Sequence, residues 1–146
     1  MGTHHAEQLE VAASLYRRLP IDWWRKHQPR GTLYPIPFSR FTPKKQDADG
    51  LSVSQVGISS IETASTTAKG KRDCLAEFST TVATNRGLTL EPKPTEHDPG
   101  HAIIPEMNYA AMEDPETETV VEEHAQALAE ASKIAWPPEG MSPDQL

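Results

Sequence analysis

Residues 47–56 read Asp-Ala-Asp-Gly-Leu-Ser-Val-Ser-Gln-Val, and this stretch decides the fold class. Asp47, Asp49 and Gly50 indicate a turn, because Asp tolerates turn conformations and Gly reaches positive φ without a steric penalty. Apolar and polar side chains then alternate over residues 51–56, as they do on a strand that buries one face. The stretch therefore predicts a turn followed by a half-buried strand.

Further short segments on either side of this strand have the same character. Apolar runs bounded by turn residues predict strands at residues 74–78, 88–90 and 101–104. Ser60 stands in an N-cap position and predicts a short helix that ends near Gly70, and residues 80–86 predict a helical turn closed by Gly87. Together these segments predict a small mixed sheet of about four strands.

The N-terminal segment is predicted to be helical. Its apolar residues recur at helical spacing: Leu9, Ala12, Ala13, Tyr16 and Leu19. Pro20 ends this pattern, and Asp22 is placed to cap a second short helix. The prolines that follow predict an edge strand or an ordered strap over residues 32–41 rather than a central strand.

The C-terminal segment carries the clearest helix signal. Asp114 is placed as an N-cap, and Pro115 occupies the first helical position, where its missing N–H would be unpaired in any case. One face is apolar and small (Val121, Ala125, Leu128, Ser132, Ala135), and glutamates cover the remainder. The pattern predicts an amphipathic helix over residues 115–135.

The fold class is therefore predicted to be α+β, with the sheet flanked by the N-terminal helices and by the C-terminal amphipathic helix. At 146 residues the chain fits a single domain spanning 1–146. Its compact core is predicted at about 34–105, and residues 137–146 are predicted to form a loose tail.

Composition limits the classes of protein that need to be considered. Cys74 is the single cysteine and no apolar run reaches the roughly 18 residues of a membrane span, so we expect a cytoplasmic protein without disulfides and without membrane contact. The net charge of −7 is unevenly spread, since residues 1–50 sum to +3 and residues 91–146 to −11. Such polarity can steer a charged partner.

One segment concentrates groups that bind metals or carry protons. His97, Asp98 and His101 stand close together, and Glu106 follows. Imidazole and carboxylate groups can hold zinc or act as acid and base, but Pro99 and the following glycine prevent the helix on which a His-x3-His pair binds metal best. The sequence favours a structural turn in which Asp98 caps backbone N–H groups, with a catalytic site as the alternative. No metal or other cofactor is expected.

A second polar group surrounds the first predicted strand. It contains Arg40, Asp47, Asp49, Ser52 and Ser54, without the GxSxG elbow of a serine hydrolase. The simplest interpretation is a polar turn with serines on the solvent face of a strand. Arg40 is the candidate for binding an anionic substrate in the enzymatic alternative.

Adjacent tryptophans mark the third candidate site. Trp23 and Trp24 precede a basic stretch, residues 25–30, in which cations follow the stacking rings. Both rings can serve in the core or in helix docking, or they can form a contact for a partner protein. Nucleic acid is a less favoured partner, because the chain is acidic overall.

Two motifs carry a resemblance to other proteins. Residues 47–53 (Asp-Ala-Asp-Gly-Leu-Ser-Val) and 98–105 (Asp-Pro-Gly-His-Ala-Ile-Ile-Pro) resemble a DxDGLSV … DPGHAxIP pattern of a loosely defined group of small uncharacterised bacterial proteins. The resemblance implies a bacterial or phage-related cytosolic protein with an α+β core.

These observations lead to one function hypothesis and two alternatives. The first is a binding or accessory protein that acts through contacts with another protein. The alternatives are a small metal-dependent hydrolase or group transferase with a His/Asp site, and a nucleic-acid-binding adaptor.

Overall fold

The protein is built on one antiparallel sheet, as seen in a computed structural model that describes residues 12–27, 36–138, 140–142 and 145. The strands of the described part are β1 (Ser14–Leu19), β2 (Leu51–Gln55), β3 (Cys74–Ser79), β4 (Glu91–Pro92), β5 (His101–Ile104) and β6 (Lys133–Trp136). The α-helices are α1 (Ile21–His27), α2 (Ile61–Ser65), α3 (Thr80–Thr84) and α4 (Pro115–Ala131). Short 3-10 turns occupy Phe38–Phe41 and Tyr109–Glu113. The α+β class is therefore confirmed.

The sheet is larger and more regular than predicted. Its six strands lie in the order β4-β5-β2-β1-β3-β6. All neighbouring strands pair antiparallel. The prediction of a mixed sheet of about four strands was wrong in both respects. The strand predicted at residues 88–90 instead forms just after these positions, as β4 at Glu91–Pro92. Pro92 is tolerated there because β4 is an edge strand.

The prediction of an N-terminal helix was also wrong in the part that can be compared. Residues Ser14–Leu19 form β1, which pairs along its whole length with β3, from Ser14↔Ser79 to Leu19↔Cys74. The earlier part of the predicted helix, from Leu9 to residue 11, lies outside the described residues. Backbone pairing on both sides explains the outcome, since β1 occupies a central position that a helix cannot fill.

The C-terminal helix begins as predicted. The Asp114 carboxylate accepts a hydrogen bond from the Glu116 N–H at 3.1 Å, and Pro115 is the first helical residue. The helix ends at Ala131 rather than at 135, because Ser132 adopts an extended conformation and the next residues join β3 as strand β6. A buried stripe of α4 covers one face of the sheet (Val121, Ala125, Leu128, Ala129).

The two faces of the sheet have different cover. On the α4 face, apolar residues of β1, β2, β3 and β5 form the main core. On the opposite face, Ala64 of α2 packs with Tyr16 and Leu75 of the sheet in a smaller cluster. The rest of that second face, over β1, β2 and β5, is lined by polar residues. The separation follows from strand geometry, since successive side chains point to opposite faces.

Strands β2 and β5 bring the two sequence motifs side by side. Leu51 pairs with Ile104, and Ser54 pairs with His101. Gly50 permits the close approach, because a Cβ atom there would lie 2.7 Å from the carbonyl oxygen of Ile104. A Cβ atom on Gly100 would lie 2.8 Å from the backbone nitrogen of Ser59, so this glycine also serves packing.

Some expectations fall on positions that the structure does not describe. Residues 28–35, which include the start of the predicted core and the first four residues of the predicted strap, lie outside the described residues. The described end of the strap forms the 3-10 turn Phe38–Phe41, in which Phe41 packs edge-on against Phe78 with ring centroids 5.9 Å apart. Among the described helices, none has the length and apolar character needed to cross a bilayer.

Candidate functional site

The sheet opens between its two central strands. β1 and β2 pair only at Leu15↔Gln55 and Tyr16↔Ser54. If this register continued, Arg18 would lie opposite Ser52, but no ladder forms there. The two strands therefore separate at the end of β1, and the backbone groups of Ser52 that would face β1 need other partners.

Arg17 and Asp47 fill the place of the missing ladder. The Arg17 guanidinium donates a hydrogen bond to the Ser52 carbonyl at 2.9 Å, and the Ser52 N–H donates to the Asp47 carboxylate at 3.3 Å. The Arg17 Nη2 atom lies 3.8 Å from Asp47 Oδ2. Arg17 also donates through Nε to the Arg40 carbonyl at 3.1 Å. This side-chain pair thus joins β1, β2 and the preceding loop.

The pair is buried, which affects its electrostatics. The exposed fraction is 12% for the Arg17 side chain and 2% for that of Asp47. Burial lowers the pKa of Arg17, and the nearby Asp47 carboxylate opposes this effect. An arginine remains charged in proteins even so, and its charge lies in a region of low dielectric.

A cavity of about 680 Å³ lies at this opening, and we call it the interstrand cleft. Its wall includes cationic side chains (Arg17, Arg18, Arg40, Lys44), carboxylates (Asp47, Asp73, Asp98) and residues with hydroxyl or imidazole groups (Tyr16, Ser52, Ser54, Thr67, Thr95, His97, His101). The volume lies within the range of small-molecule sites.

Two cations of the interstrand cleft have no carboxylate partner within the described part of the chain. Arg17 is near Asp47, and Arg18 Nε lies 3.8 Å from Asp73 Oδ2. Among the described residues, neither Arg40 nor Lys44 has a carboxylate within ion-pair distance. Lys44 Nζ donates to Thr42 Oγ1 at 3.2 Å. The Arg40 Nε atom is buried and has no hydrogen-bond partner among the described residues.

Asp98 is fixed in place by several donors. Its carboxylate accepts hydrogen bonds from the Ser54 hydroxyl at 2.5 Å, from the Ser59 hydroxyl, and from the Gly100 N–H at 3.1 Å. Only 7% of Asp98 is exposed. This geometry is the structural turn that the sequence favoured, with Asp98 capping backbone and side-chain donors between β2 and β5.

The two histidines near Asp98 are each held by a backbone carbonyl. His101 Nδ1 lies 2.9 Å from the Lys93 oxygen, and His97 Nε2 lies 2.8 Å from the Thr66 oxygen. A carbonyl only accepts, so in these contacts Nδ1 of His101 and Nε2 of His97 carry the proton. The other nitrogen of each neutral ring is then an acceptor.

Glu106 lies away from the other members of the predicted cluster. It accepts hydrogen bonds from the Thr89 N–H at 2.9 Å and from the Thr89 hydroxyl at 2.6 Å, and it does not line the interstrand cleft. Burial raises its pKa, but the Thr89 hydrogen bonds outweigh this effect and the net shift is downward. Glu106 therefore acts as a cap for the segment before β4.

The structure places both predicted partner-contact tryptophans in the core. The exposed fraction is 6% for Trp23 and 1% for Trp24. This corresponds to the core-packing alternative that the sequence left open.

The described residues contain no group of three His, Cys, Asp or Glu side chains arranged to hold a metal ion. Cys74 is buried, and burial together with Asp73 raises the pKa of its thiol to about 12.

The candidate residues thus divide between the interstrand cleft and elsewhere. Arg40, His97, Asp98 and His101 line the cleft, as do Asp47, Ser52 and Ser54 from the second polar group. Sequence reasoning missed a further set of cleft residues: Tyr16, Arg17, Arg18 and Lys44. The available signal was the pair of arginines inside an apolar segment that ends at Pro20.

Comparisons with family models, curated proteins and solved structures give no match to this chain. The resemblance carried by residues 47–53 and 98–105 therefore stays a prediction.

Proposed function

We propose that this protein binds a small anionic molecule in the interstrand cleft. The observation that carries the proposal is the pair of cations, Arg40 and Lys44, that line the cleft without a carboxylate partner among the described residues. A carboxylate or phosphate group would supply the missing negative charge.

Arg40 supports the proposal through its hydrogen bonding. A buried donor without a partner costs about 1–3 kcal/mol, so it indicates a group that is satisfied by something else. The guanidinium fork matches the geometry of a carboxylate or a phosphate, and such bonds are strengthened by charge. Arg40 is therefore the residue that we expect to contact the anion directly.

Arg17 supports the proposal by holding the site open. It donates to the Arg40 carbonyl and the Ser52 carbonyl, which fixes the position of Arg40 relative to β2. A loop that is fixed to a strand in this way binds a ligand with less loss of conformational entropy than a free loop does.

The shape and charge of the molecule favour a small ligand over a nucleic acid. The cleft is concave and its volume suits a small molecule, whereas the net charge of −7 opposes a polyanion. The buried tryptophans do not offer the stacking platform that single-stranded nucleic acids use. A metal-dependent reaction also finds little support, because Asp98 is occupied by three donors and Glu106 lies outside the cleft.

A ligand-binding cleft is compatible with the role inferred from the sequence. We propose an accessory protein, bacterial or phage-related and cytosolic, whose contacts with another protein depend on the bound anion. The geometry of the cleft is the argument for a bound ligand. The argument for a protein partner comes from the sequence alone.

Thermal unfolding at constant ionic strength tests the proposal. The panel contains phosphate, citrate and valerate, with chloride as the reference. A ligand present at a hundredfold excess over its Kd adds about 2.7 kcal/mol, which raises Tm by roughly 5–10 °C at this chain length. Arg40→Gln should abolish the increase.

Arg25→Gln is the matched control, because it removes one positive charge from an exposed position on α1 that does not line the cleft. We expect it to keep the full increase. If no anion in the panel raises Tm above chloride, or if both variants lose the increase equally, the proposal is wrong.

A further inference from the structure

The interstrand cleft has two chemically different ends, and this difference constrains the ligand. The segment that carries Arg40 and Lys44 lies beside Ser52, because Arg17 donates to the carbonyls of both Arg40 and Ser52, and the N–H groups of Lys44 and Ser52 both donate to Asp47. The Arg40 and Lys44 side chains are the donors at this end. Near Ser54, which pairs with Tyr16, the cleft offers acceptors on Ser54 and His101. An anion alone would match only the first end.

The acceptor end is defined by hydrogen bonds that are already made. The Ser54 hydroxyl proton is committed to Asp98 at 2.5 Å, so its oxygen offers lone pairs to a ligand. His101, directly across the β2–β5 ladder, commits its Nδ1 proton to the Lys93 carbonyl and leaves Nε2 as an acceptor.

Asp98 adds negative potential at the same end. No lysine or arginine lies within ion-pair distance of its buried carboxylate among the described residues, so hydroxyl and N–H donors alone stabilise the charge. A donor on the ligand, above all a positively charged one, would be attracted to this end, and a second carboxylate would be repelled.

The separation of the two ends follows from strand geometry. Ser52 and Ser54 are two residues apart on β2, which corresponds to about 7 Å along a strand. Both side chains line the cleft. The backbone positions that mark the two ends are therefore about 7 Å apart, a spacing that a ligand chain of about five atoms covers.

We infer that the ligand carries a hydrogen-bond donor, a hydroxyl or an ammonium group, about 7 Å from its anionic group, and that His101 and Ser54 recognise this donor. The inference rests on the proposed function, since it concerns the same cleft. It makes His101 a specificity-determining residue, whereas Arg40 contributes affinity for any anion.

Four ligands of equal chain length test the inference: valerate, δ-hydroxyvalerate, δ-aminovalerate and glutarate. They share one carboxylate and differ at the other terminus, which is methyl, hydroxyl, ammonium or carboxylate. Isothermal titration of the full chain should give δ-aminovalerate or δ-hydroxyvalerate at least about tenfold tighter binding than valerate, as expected for one added hydrogen bond to a charged site. Whichever of δ-aminovalerate and δ-hydroxyvalerate binds more tightly shows whether the donor of the natural ligand is an ammonium or a hydroxyl group. Glutarate should bind more weakly than either.

His101→Asn isolates the acceptor. The Asn amide can keep the donor to the Lys93 carbonyl while removing Nε2, so the preference for the donor ligands over valerate should fall to within about threefold. Valerate itself should bind the variant as it binds the unmodified protein, which also reports that the fold is intact. His124→Asn makes the same chemical change outside the cleft and should keep the preference.

The outcomes separate the two proposals. If valerate, glutarate and the donor ligands bind equally and Arg40→Gln weakens all of them, the anion site stands and the donor inference is overturned. Tightest binding of glutarate would also overturn it. If none of the four ligands binds although phosphate or citrate raises Tm, the donor inference is overturned and the anion site stands. If none of the four binds and no anion of the thermal panel raises Tm, the proposed function itself is wrong.

Discussion

Replacing Arg17 with methionine should strongly destabilise the fold, although the residue lies on a strand that is otherwise apolar at its core positions. The substitution keeps a long side chain but removes the guanidinium that bridges β1, β2 and the preceding loop. The carbonyls of Ser52 and Arg40 then lose their donor, and Asp47 loses its cation.

The magnitude follows from these contacts. Hydrogen bonds to charged groups contribute about 1.5–3 kcal/mol each, and Arg17 makes two of them to carbonyls. Removing one partner of a buried ion pair costs about 3–5 kcal/mol. We therefore expect a loss of about 3–5 kcal/mol, which is a large part of the roughly 5–15 kcal/mol that stabilise a typical domain.

Urea unfolding followed by tryptophan fluorescence measures this loss. With a denaturant dependence of about 2 kcal/mol per molar, the midpoint should fall by about 1.5–2.5 M. Arg18→Met is the matched control, because Arg18 is the next residue on β1 and its ion pair, although equal in length to that of Arg17, is solvent-accessible, with side chains 45% and 25% exposed. A pair of this kind contributes about 0–1 kcal/mol, so its midpoint should change little.

A double-mutant cycle with Asp47→Asn completes the test. Because Arg17 and Asp47 share the backbone groups of Ser52, the two changes should be non-additive by about 1–3 kcal/mol. Equal midpoints for the Arg17 and Arg18 variants, or simple additivity in the cycle, would refute the view that this pair replaces the missing β1–β2 ladder.

Three further predictions concern the packing of α4, the thiol and one histidine. Leu128→Asp should lower the free energy of unfolding by several kcal/mol, because it places a charge at a fully buried position of α4. Val120→Asp, at a position 51% exposed on the same helix, should change Tm little. Equal Tm values for the two variants would show that α4 is not docked on the sheet. Burial raises the pKa of the Cys74 thiol to about 12, so Ellman's reagent should not label the native protein and should label one thiol after unfolding; labelling of the native protein would contradict this. Burial and Arg86 lower the pKa of His124, so the stability that the neutral ring contributes should be present above the unfolded pKa of about 6.5 and lost as pH falls through the folded pKa. A His124→Gln variant should therefore lose less stability on acidification than the unmodified protein. Identical profiles of stability against pH would refute the lowered pKa of His124.

Local signals account for the parts of the fold that were predictable from the sequence. The alternation after Gly50 predicted β2, and Asp114 with Pro115 predicted the start of α4. Each of these signals depends on residues within one turn or one strand. Strand β6 was missed because Ile134 and its neighbours continue the apolar pattern of α4, and only their pairing with β3 separates them from the helix. Such pairing involves residues more than fifty positions apart and has no local signature.

The candidate site was predictable to a similar extent. Asp98 and His101 drew attention because of their chemistry, and the structure brings both to the interstrand cleft, although Asp98 serves there as an anchor. Glu106 drew attention for the same reason and lies elsewhere, because proximity in sequence does not determine which face of a sheet a residue reaches. Arg40 was a candidate on charge alone, and only the folded chain shows that its buried Nε has no partner among the residues described.

The N-terminal strand shows how the site itself obscured the fold. In β1 the core positions are Leu15, Arg17 and Leu19, and an apolar residue in the middle would have given the period-two pattern of a strand. Arginine at that position breaks the alternation and leaves apolar residues at spacings that also fit a helix. The arginine is retained in the core because the gap between β1 and β2 offers it two carbonyls and a carboxylate. The residue that bridges the gap between β1 and β2 and lines the cleft is therefore the same residue that makes the strand hard to recognise in the sequence.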